Sequence, residues 1–442
     1  MIRSGSWRKW LPGRSSELRS ELLKGGVGVG GLKILSLLLN LALSVLLARM
    51  LGPEGYGQYA FILALVMVLS IPINQGLGQL ITREVARFNH GAHWGLMRGL
   101  FRWSQWWVVL GCLLLWAGLL PLALFRAAWQ FSDTWTLFSL ALLMLPFLGL
   151  NTVRASALRG LGHVVAAQIP DLFVRPGFQL ALLGALLLLG TLNPLTALLA
   201  AVVAAGLAFL VGTKLLAIRM PGAARVAKPD YRIRAWARSW LPLTLLTAGT
   251  LLNNQVGILL LGWLGSDEQV GALRVADHGA QMVAASLIIV NLVIAPHFVH
   301  AYQDGNRDRM QKLSRQSARA ALLCASIVAV PFLFLGGPVI AAVVGDDYVS
   351  LAVGPLAILT GAQLVNVAFG SVGLFLIMSG FERDTLIGQL LGLVVNTVLA
   401  LIFIPRLGAD GAAYAAAAGL VCWNGVLAVM VYKRLGLRPG AV

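Results

Sequence analysis

Charge is scarce in this sequence. Only 12% of its 442 residues are Asp, Glu, Lys or Arg, about half the share of an ordinary soluble domain, and a surface wetted on all sides cannot be assembled from so few. Acids are the scarcer kind, 17 against 34 Lys and Arg. Cysteine is nearly absent: Cys112, Cys324 and Cys422 stand singly in apolar runs, without the paired spacing of a disulfide framework or a zinc site, and read as small packing residues. There is also no Walker A loop, no HExxH helix and no nucleophile elbow. Neither a metal nor another cofactor is therefore expected, and the loops between apolar segments are too short for a catalytic domain. Gly26, Gly28 and Gly31 have dinucleotide-fingerprint spacing, but they open an apolar helix and follow no strand, so they read as packing glycines.

What the chain has in quantity is apolar length, with 58% hydrophobic residues. Crossing a hydrocarbon core of about 30 Å takes roughly 20 apolar residues in a helix. Such runs occur near residues 27–49, 58–81, 104–125, 135–156, 168–190 and 194–217, then 240–262, 270–297, 318–344, 352–378, 385–404 and 411–432. They are apolar throughout, whereas barrel strands would alternate. The expected fold is all-α: a polytopic membrane protein of about twelve transmembrane helices. The basic first 24 residues resemble the start of a secretory signal, but the next apolar stretch is too long and lacks a cleavage site, so it is expected to stay as the first membrane helix.

Basic residues lie mostly on one side of this topology. With the N-terminus inside, 28 of the 34 fall in inner segments, among them Arg83, Arg87, Arg98, Arg102, Arg154, Arg159 and seven in the middle loop from Lys214 to Arg238; Arg49, Arg126, Arg274 and Arg406 fall outside. That asymmetry predicts cytoplasmic termini in a cell inner membrane. It also accounts for the net charge of +17 without a nucleic-acid partner.

An internal repeat divides the chain. VLLARMLGPEGYGQYA, from Val45 to Ala60, matches LLLGWLGSDEQVGAL, from Leu259 to Leu273, with one inserted residue before Gly271; Leu51, Gly52 and Glu54 align with Leu264, Gly265 and Asp267. Each copy sits on the outer turn between the first and second helices of a six-helix half. Six spans preserve orientation, so the halves read as parallel, pseudo-symmetric bundles. The expected organisation is a basic cytoplasmic N-terminus (1–26), a first lobe (27–217), a basic cytoplasmic linker (218–239), a second lobe (240–432) and a cytoplasmic C-terminus (433–442).

An ionisable group at a helix centre costs roughly 2.5–3.5 kcal/mol on insertion scales, so each needs a partner, water or a function. Lys33, Asp171, Arg175, Arg274 and Asp277, with His278 beside the last two, fall inside expected spans. Asp171 and Arg175 are four residues apart and Arg274 and Asp277 three, so each pair can neutralise itself on one helix face. Lys33 has no acid at such spacing. If all five face one wet cavity, three cations oppose two carboxylates, a balance suited to a phosphate-bearing ligand: Arg grips phosphate bidentately and Lys supplies a point charge. Asn40, Asn74, Gln75, Asn253, Asn254, Gln255, Asn291, Asn366 and Asn396 also fall in spans. A buried amide serves helix contacts or a sugar, and the run Asn253, Asn254 and Gln255 is the densest. Trp103, Trp106, Trp107, Trp129, Trp135, Trp236 and Trp240 mark span ends and read as headgroup anchors. Pro72, Pro121, Pro146, Pro170, Pro242 and Pro331 interrupt spans and read as kinks.

The stretch LLARMLGPEGYGQYAFILALVMVLSIPINQGLGQLITREVARF at 46–88 resembles the opening of the polysaccharide-biosynthesis, Wzx-type flippases of the multidrug and oligosaccharidyl-lipid exporter superfamily. NNQVGILLLGWLGSDEQVGALRVAD at 253–277 and RLGADGAAYAAAAGL at 406–420 are similar to that family's later helices. The resemblance implies two helical lobes that carry undecaprenyl-diphosphate-linked oligosaccharide from the cytoplasmic to the outer leaflet through a cationic cavity. It implies transport by alternating access, driven by an ion gradient, and not an enzyme. The partners implied are the lipid-linked sugar, the bilayer and other polysaccharide-assembly membrane proteins. Lys33, Arg175, Arg274, Asn253, Asn254 and Gln255 are the candidate substrate-binding residues, and Asp171 and Asp277 the candidate ion carriers. Gly257 stands where many relatives place an acid, which weakens an ion-coupling role for that helix. Two other readings stay open: a multidrug antiporter of the same superfamily, which would want an acidic cavity, and a polymerase or transferase acting on lipid-linked sugars.

Overall fold

The computed structural model describes residues 15–127 and 134–441. The basic N-terminal residues Arg3, Arg8, Lys9 and Arg14, and Trp129, lie outside the described residues. The first half contains α1 (Ser15–Leu69), α2 (Ile71–Asn74), α3 (Leu77–His90), α4 (Trp94–Ala127), α5 (Thr134–Leu142), α6 (Met144–Gly160), α7 (Val164–Ile169), a π-helical turn (Pro170–Val174), α8 (Arg175–Leu188) and α9 (Pro194–Arg219). After α10 (Gly222–Val226) come α11 (Ile233–Leu264), α12 (Asp267–Gln303), α13 (Arg307–Phe334), α14 (Gly336–Val343), α15 (Val349–Phe369), α16 (Val372–Met378) and α17 (Glu382–Leu435). Among the described residues there is no strand.

Ten helical stretches in the described residues are long and apolar enough to cross a membrane, and two of them double back. In a straight helix twelve residues span about 18 Å, yet the hydroxyls of Ser44 and Tyr56 are 2.7 Å apart. The reversal is at Gly52, whose φ of 69° is left-handed, a conformation that glycine adopts without a Cβ clash. Pro53 follows, where a missing N–H costs nothing at the start of a new helical limb. In α17 the reversal is at Gly408, with φ 56°. Arg434 Nε donates to Asp384 Oδ2 at 2.8 Å across that hairpin, and a Cβ on Gly392 would lie 2.9 Å from the Gly419 carbonyl oxygen. With each reversal counted, ten stretches become twelve spans in two bundles, as the hydrophobic pattern predicts.

The bundles meet at what we term the turn end, where the two repeat copies lie. A Cβ on Gly57 would fall 1.7 Å from the Asp267 carbonyl oxygen, and one on Gly271 would fall 2.3 Å from that of Pro53. These glycines are equivalent in the repeat, so each copy presses its backbone reciprocally against the other, as a two-fold relation requires. Around this contact Tyr348 donates to the Ala48 carbonyl at 3.1 Å and Arg49 Nη2 to that of Ala342 at 2.6 Å. One buried core runs across the junction, taking in Leu47 and Tyr56 from the first bundle and Val270, Leu273 and Tyr348 from the second.

The opposite end, where α9 leads through the basic connection into α11, is built differently. The connection is strapped to α4: Asp230 N–H donates to the Gly95 carbonyl at 2.9 Å and Arg98 Nη1 to that of Ala227 at 2.7 Å. Beside the strap four indoles pack on one another, Trp103 against Trp107 at 6.1 Å, Trp103 against Trp236 at 5.7 Å and Trp107 against Trp240 at 4.8 Å. Trp236 is 2% exposed. Trp107 and Trp240 donate their N–H groups to the carbonyls of Pro72 and Gln75, which the α2–α3 break frees from helical partners. The expectation of headgroup anchoring fails for Trp236, because the strap gives its ring protein to bury against, while Trp103, Trp107 and Trp240 are half-buried. Trp106 keeps 71% exposure, and Trp135 packs edge-on against Phe138.

Candidate functional site

Two cavities flank α12, the first between the bundles and the second among helices of the second bundle. The first, of about 140 Å³, is lined by Ser44, Tyr56 and Tyr59 from the two limbs of α1, Arg175 and Gln179 from α8, and Arg274 and His278 from α12. The second, of about 430 Å³, is lined by Asn253, Asn254 and Gln255 from α11, Arg274, Asp277, His278 and Gln281 from α12, Gln363 from α15, and Asn396 and Trp423 from α17. Arg274 and His278 border both, so the two spaces adjoin at one turn of α12.

Local structure explains where each charge points. Pro170 opens a π turn, in which the backbone ring closes between residues five apart, so side chains four apart no longer stack on one face. Asp171 and Arg175 consequently form no ion pair within 4.0 Å. Asp171 Oδ1 instead accepts from Asn151 Nδ2 on α6 at 2.6 Å, and Arg175, at the first position of α8, faces the first cavity. α12 is regular in this region, and there the i,i+3 expectation is met: Arg274 Nη1 lies 3.4 Å from Asp277 Oδ2. That oxygen also accepts from Gln281 Nε2 at 2.9 Å.

The lining residues of the first cavity include two guanidinium groups and no carboxylate. Its walls are held by hydrogen bonds: Tyr56 to Ser44 at 2.7 Å, and Gln179 Nε2 to the Tyr59 hydroxyl at 2.8 Å. The second cavity adds one carboxylate, Asp277, and a wall of amides. Asn253 there is partly spoken for, since its Oδ1 accepts from Asn396 Nδ2 at 3.2 Å. Asn291 pairs with Ser371 beside α16, a contact between elements, and Asn366 with Gln363 within α15. Across both cavities the formal charge is two cations against one anion.

Lys33 is elsewhere. It is exposed on α1, eleven residues and therefore about 16 Å of helix from Ser44. Arg154, expected in a basic inner segment, is buried: its Nη1 donates to the Leu150 carbonyl at 2.8 Å and its guanidinium stacks over Phe209 at 4.0 Å, a cation–π contact. Near the strap a further cavity of about 480 Å³ is lined by Asn74, Gln75, Arg83, Arg159 and Thr247. Among the described residues no group of three His, Cys, Asp or Glu is placed to hold a metal ion.

Residue-by-residue reading missed Tyr56, Tyr59, Gln179, Gln281 and Gln363. The signal for two of them is present: Gln179 lies four residues beyond Arg175, and Gln281 four beyond Asp277, so each shares a helix face with a residue singled out for its charge.

Residues 22–302 match the model of a known family, described as polysaccharide biosynthesis protein. The chain belongs to that family. The match takes in both arginines, both aspartates and the amide run. Among solved structures, the chain is similar to an inward-facing multidrug resistance MATE family transporter of the MOP superfamily, at 15% identity over 91% of this chain and 94% of that one, with a TM-score of 0.74. It is similar to the lipid II flippase MurJ in an inward closed conformation, at 12% identity over 92% and 87% with a TM-score of 0.72. A MOP superfamily transporter from Pyrococcus furiosus, described by the reverse polarity of its binding pocket, aligns at 14% identity over 95% and 96% with a TM-score of 0.63. No curated protein matches the sequence significantly. At such identities the likeness is one of fold, the two-bundle fold of these exporters, and it extends beyond residue 302 to nearly the whole chain.

Proposed function

We propose that this protein transfers a diphosphate-linked oligosaccharide lipid of the undecaprenyl class from the cytoplasmic to the outer leaflet of a cell inner membrane. The observation that carries this reading is the first cavity: Arg175 and Arg274 face it with no carboxylate among its lining residues. Asp277 offsets Arg274 alone, and the positive charge that remains with Arg175 at membrane depth favours an anionic ligand, since planar guanidinium donors match phosphate oxygens in pairs. The amides of the adjoining space offer both donors and acceptors, as sugar hydroxyls require. The family's description as polysaccharide biosynthesis and the fold shared with a lipid II flippase support a lipid-linked cargo. A drug antiporter for organic cations would want the opposite sign of charge in the cavity.

The concentration of basic residues supports a cytoplasmic strap end. In the state described the turn end is closed by backbone against backbone. Transfer then requires the Gly57–Gly271 contact to part while the strap end closes, with the polar head carried between bundles and the lipid tail left in the bilayer. Asp171 and Asp277 are the proposed carriers of the coupling ion, each held by a neighbouring amide that tolerates either protonation state. Lys33 is left out of the site. The test is leaflet transfer of a labelled undecaprenyl-diphosphate oligosaccharide in proteoliposomes, with Arg175→Ala and Arg274→Ala beside the parent. Loss of transfer in both variants is expected. Transfer that survives both would overturn the cationic-cavity mechanism, and no transfer by the parent, with accumulation of cationic dyes instead, would favour drug export.

A further inference from the structure

α12 carries two stripes at helical spacing. Arg274, Asp277 and Gln281 form the polar one and face the amide cavity. Val275, Gly279 and Met282 form the other, one to two residues further on and so rotated by about 100° or more around the helix. This second stripe borders a separate cavity of about 200 Å³ closed by Val45 of α1, Phe332 of α13 and Ile340 of α14. Its lining is apolar except for Ser44 and His278, and these two residues also line the arginine cavity. An apolar space thus adjoins a cationic one through a shared wall. At its rim Met282 of α12 is 37% and Val343 of α14 is 41% exposed, so the apolar space opens at the surface between α12 and α14, where a membrane protein meets lipid.

An occupant complementary to both spaces is anionic at one end and hydrocarbon immediately behind. We infer that the apolar cavity seats the first isoprene units of the lipid carrier, the part of the chain attached to the diphosphate, while the rest of the tail runs out past Met282 and Val343 into the bilayer. This inference rests on the reading of the arginine cavity as the diphosphate site. It makes the protein selective for isoprenyl diphosphates over other phosphate-bearing molecules: the head supplies charge recognition, and hydrocarbon within reach of the head supplies the apolar area that a free phosphate or a sugar nucleotide lacks.

The experiment is calorimetric titration of the purified chain in lipid nanodiscs, blanked against empty nanodiscs, with inorganic diphosphate and with geranyl diphosphate. The parent is expected to bind geranyl diphosphate about tenfold or more tightly than inorganic diphosphate, from the apolar surface removed from water. Val343→Trp and Met282→Trp fill the rim at positions already exposed, so folding tolerates them, and each is expected to bring the two affinities together. Equal affinities in the parent, or a preference that survives both substitutions, would mean that bilayer lipid fills the cavity and would overturn the inference while the head-group reading stands. Binding of neither ligand would overturn the head-group reading and the inference with it.

Discussion

On the first-bundle side of the central space the cavity-facing groups include Arg175, Tyr56, Tyr59 and Gln179, and three of these four are fixed by hydrogen bonds to Ser44 or to each other. On the second-bundle side they are amides from four helices, of which Asn253 is tied to Asn396. The first wall is a rigid frame around a cation, suited to a compact, highly charged group that is the same in every cargo. The second is a neutral wall of donors and acceptors, suited to hydroxyls whose arrangement differs from one sugar to the next. Between them α12 contributes Arg274 to both, so the residue shared by the two walls stands on the helix that also carries the inter-bundle glycine contact.

The comparison is broken most severely by Gly57→Leu. The new Cβ has backbone within 1.7 Å, which no rotamer relieves, so the bundles must separate at the turn end and the two walls lose their register. Complete loss of leaflet transfer is expected, together with a longer distance between spin labels placed at Arg49 and Ala342. Next in size is Arg274→Ala, which removes a cation from both cavities and leaves Asp277 without its ion pair. With charge-assisted hydrogen bonds worth about 1.5–3 kcal/mol each, diphosphate affinity measured by titration should fall by roughly ten- to a hundredfold.

A smaller effect sharpens the division of labour. Asn254→Ala and Gln255→Ala should each weaken oligosaccharide binding by about 1 kcal/mol, roughly fivefold, with inorganic diphosphate affinity unchanged. Equal losses for both ligands would mean that the two walls do not divide head from sugar. Asn253→Ala should act on thermal stability instead, because its partner Asn396 is buried and would keep only its longer contact, 3.4 Å, to the backbone carbonyl at that position. Smallest of all, Lys33→Ala should leave transfer and binding unaltered in the same assays; a tenfold loss would return Lys33 to the site.

Much of the fold was legible from hydrophobic length alone, since a helix that crosses lipid must satisfy its own backbone and is apolar along its whole length. Even the two reversals inside α1 and α17 were legible, as the Gly52 and Gly408 breaks lie between runs each long enough to span. The site was only partly legible. Arg274 and Asp277 form the pair that their spacing suggested, but Asp171 and Arg175 part company across a π turn, and Lys33 is exposed although no nearby acid offered it a partner. Trp236 misled for a related reason: a ring at a span end settles among headgroups only when no protein surface is nearer, and the strap between the bundles supplies one.

The sequence by itself determined the number of spans, the division into two halves and the excess of cations within the apolar runs, because each follows from composition and period along one chain. Tertiary structure alone decided which of those cations share a space, which amides are spent on other helices, and that an apolar cavity adjoins a cationic one through Ser44 and His278. These depend on how helices far apart in sequence rotate against one another, and a side chain's neighbours across a helix interface leave no mark on the spacing within its own helix.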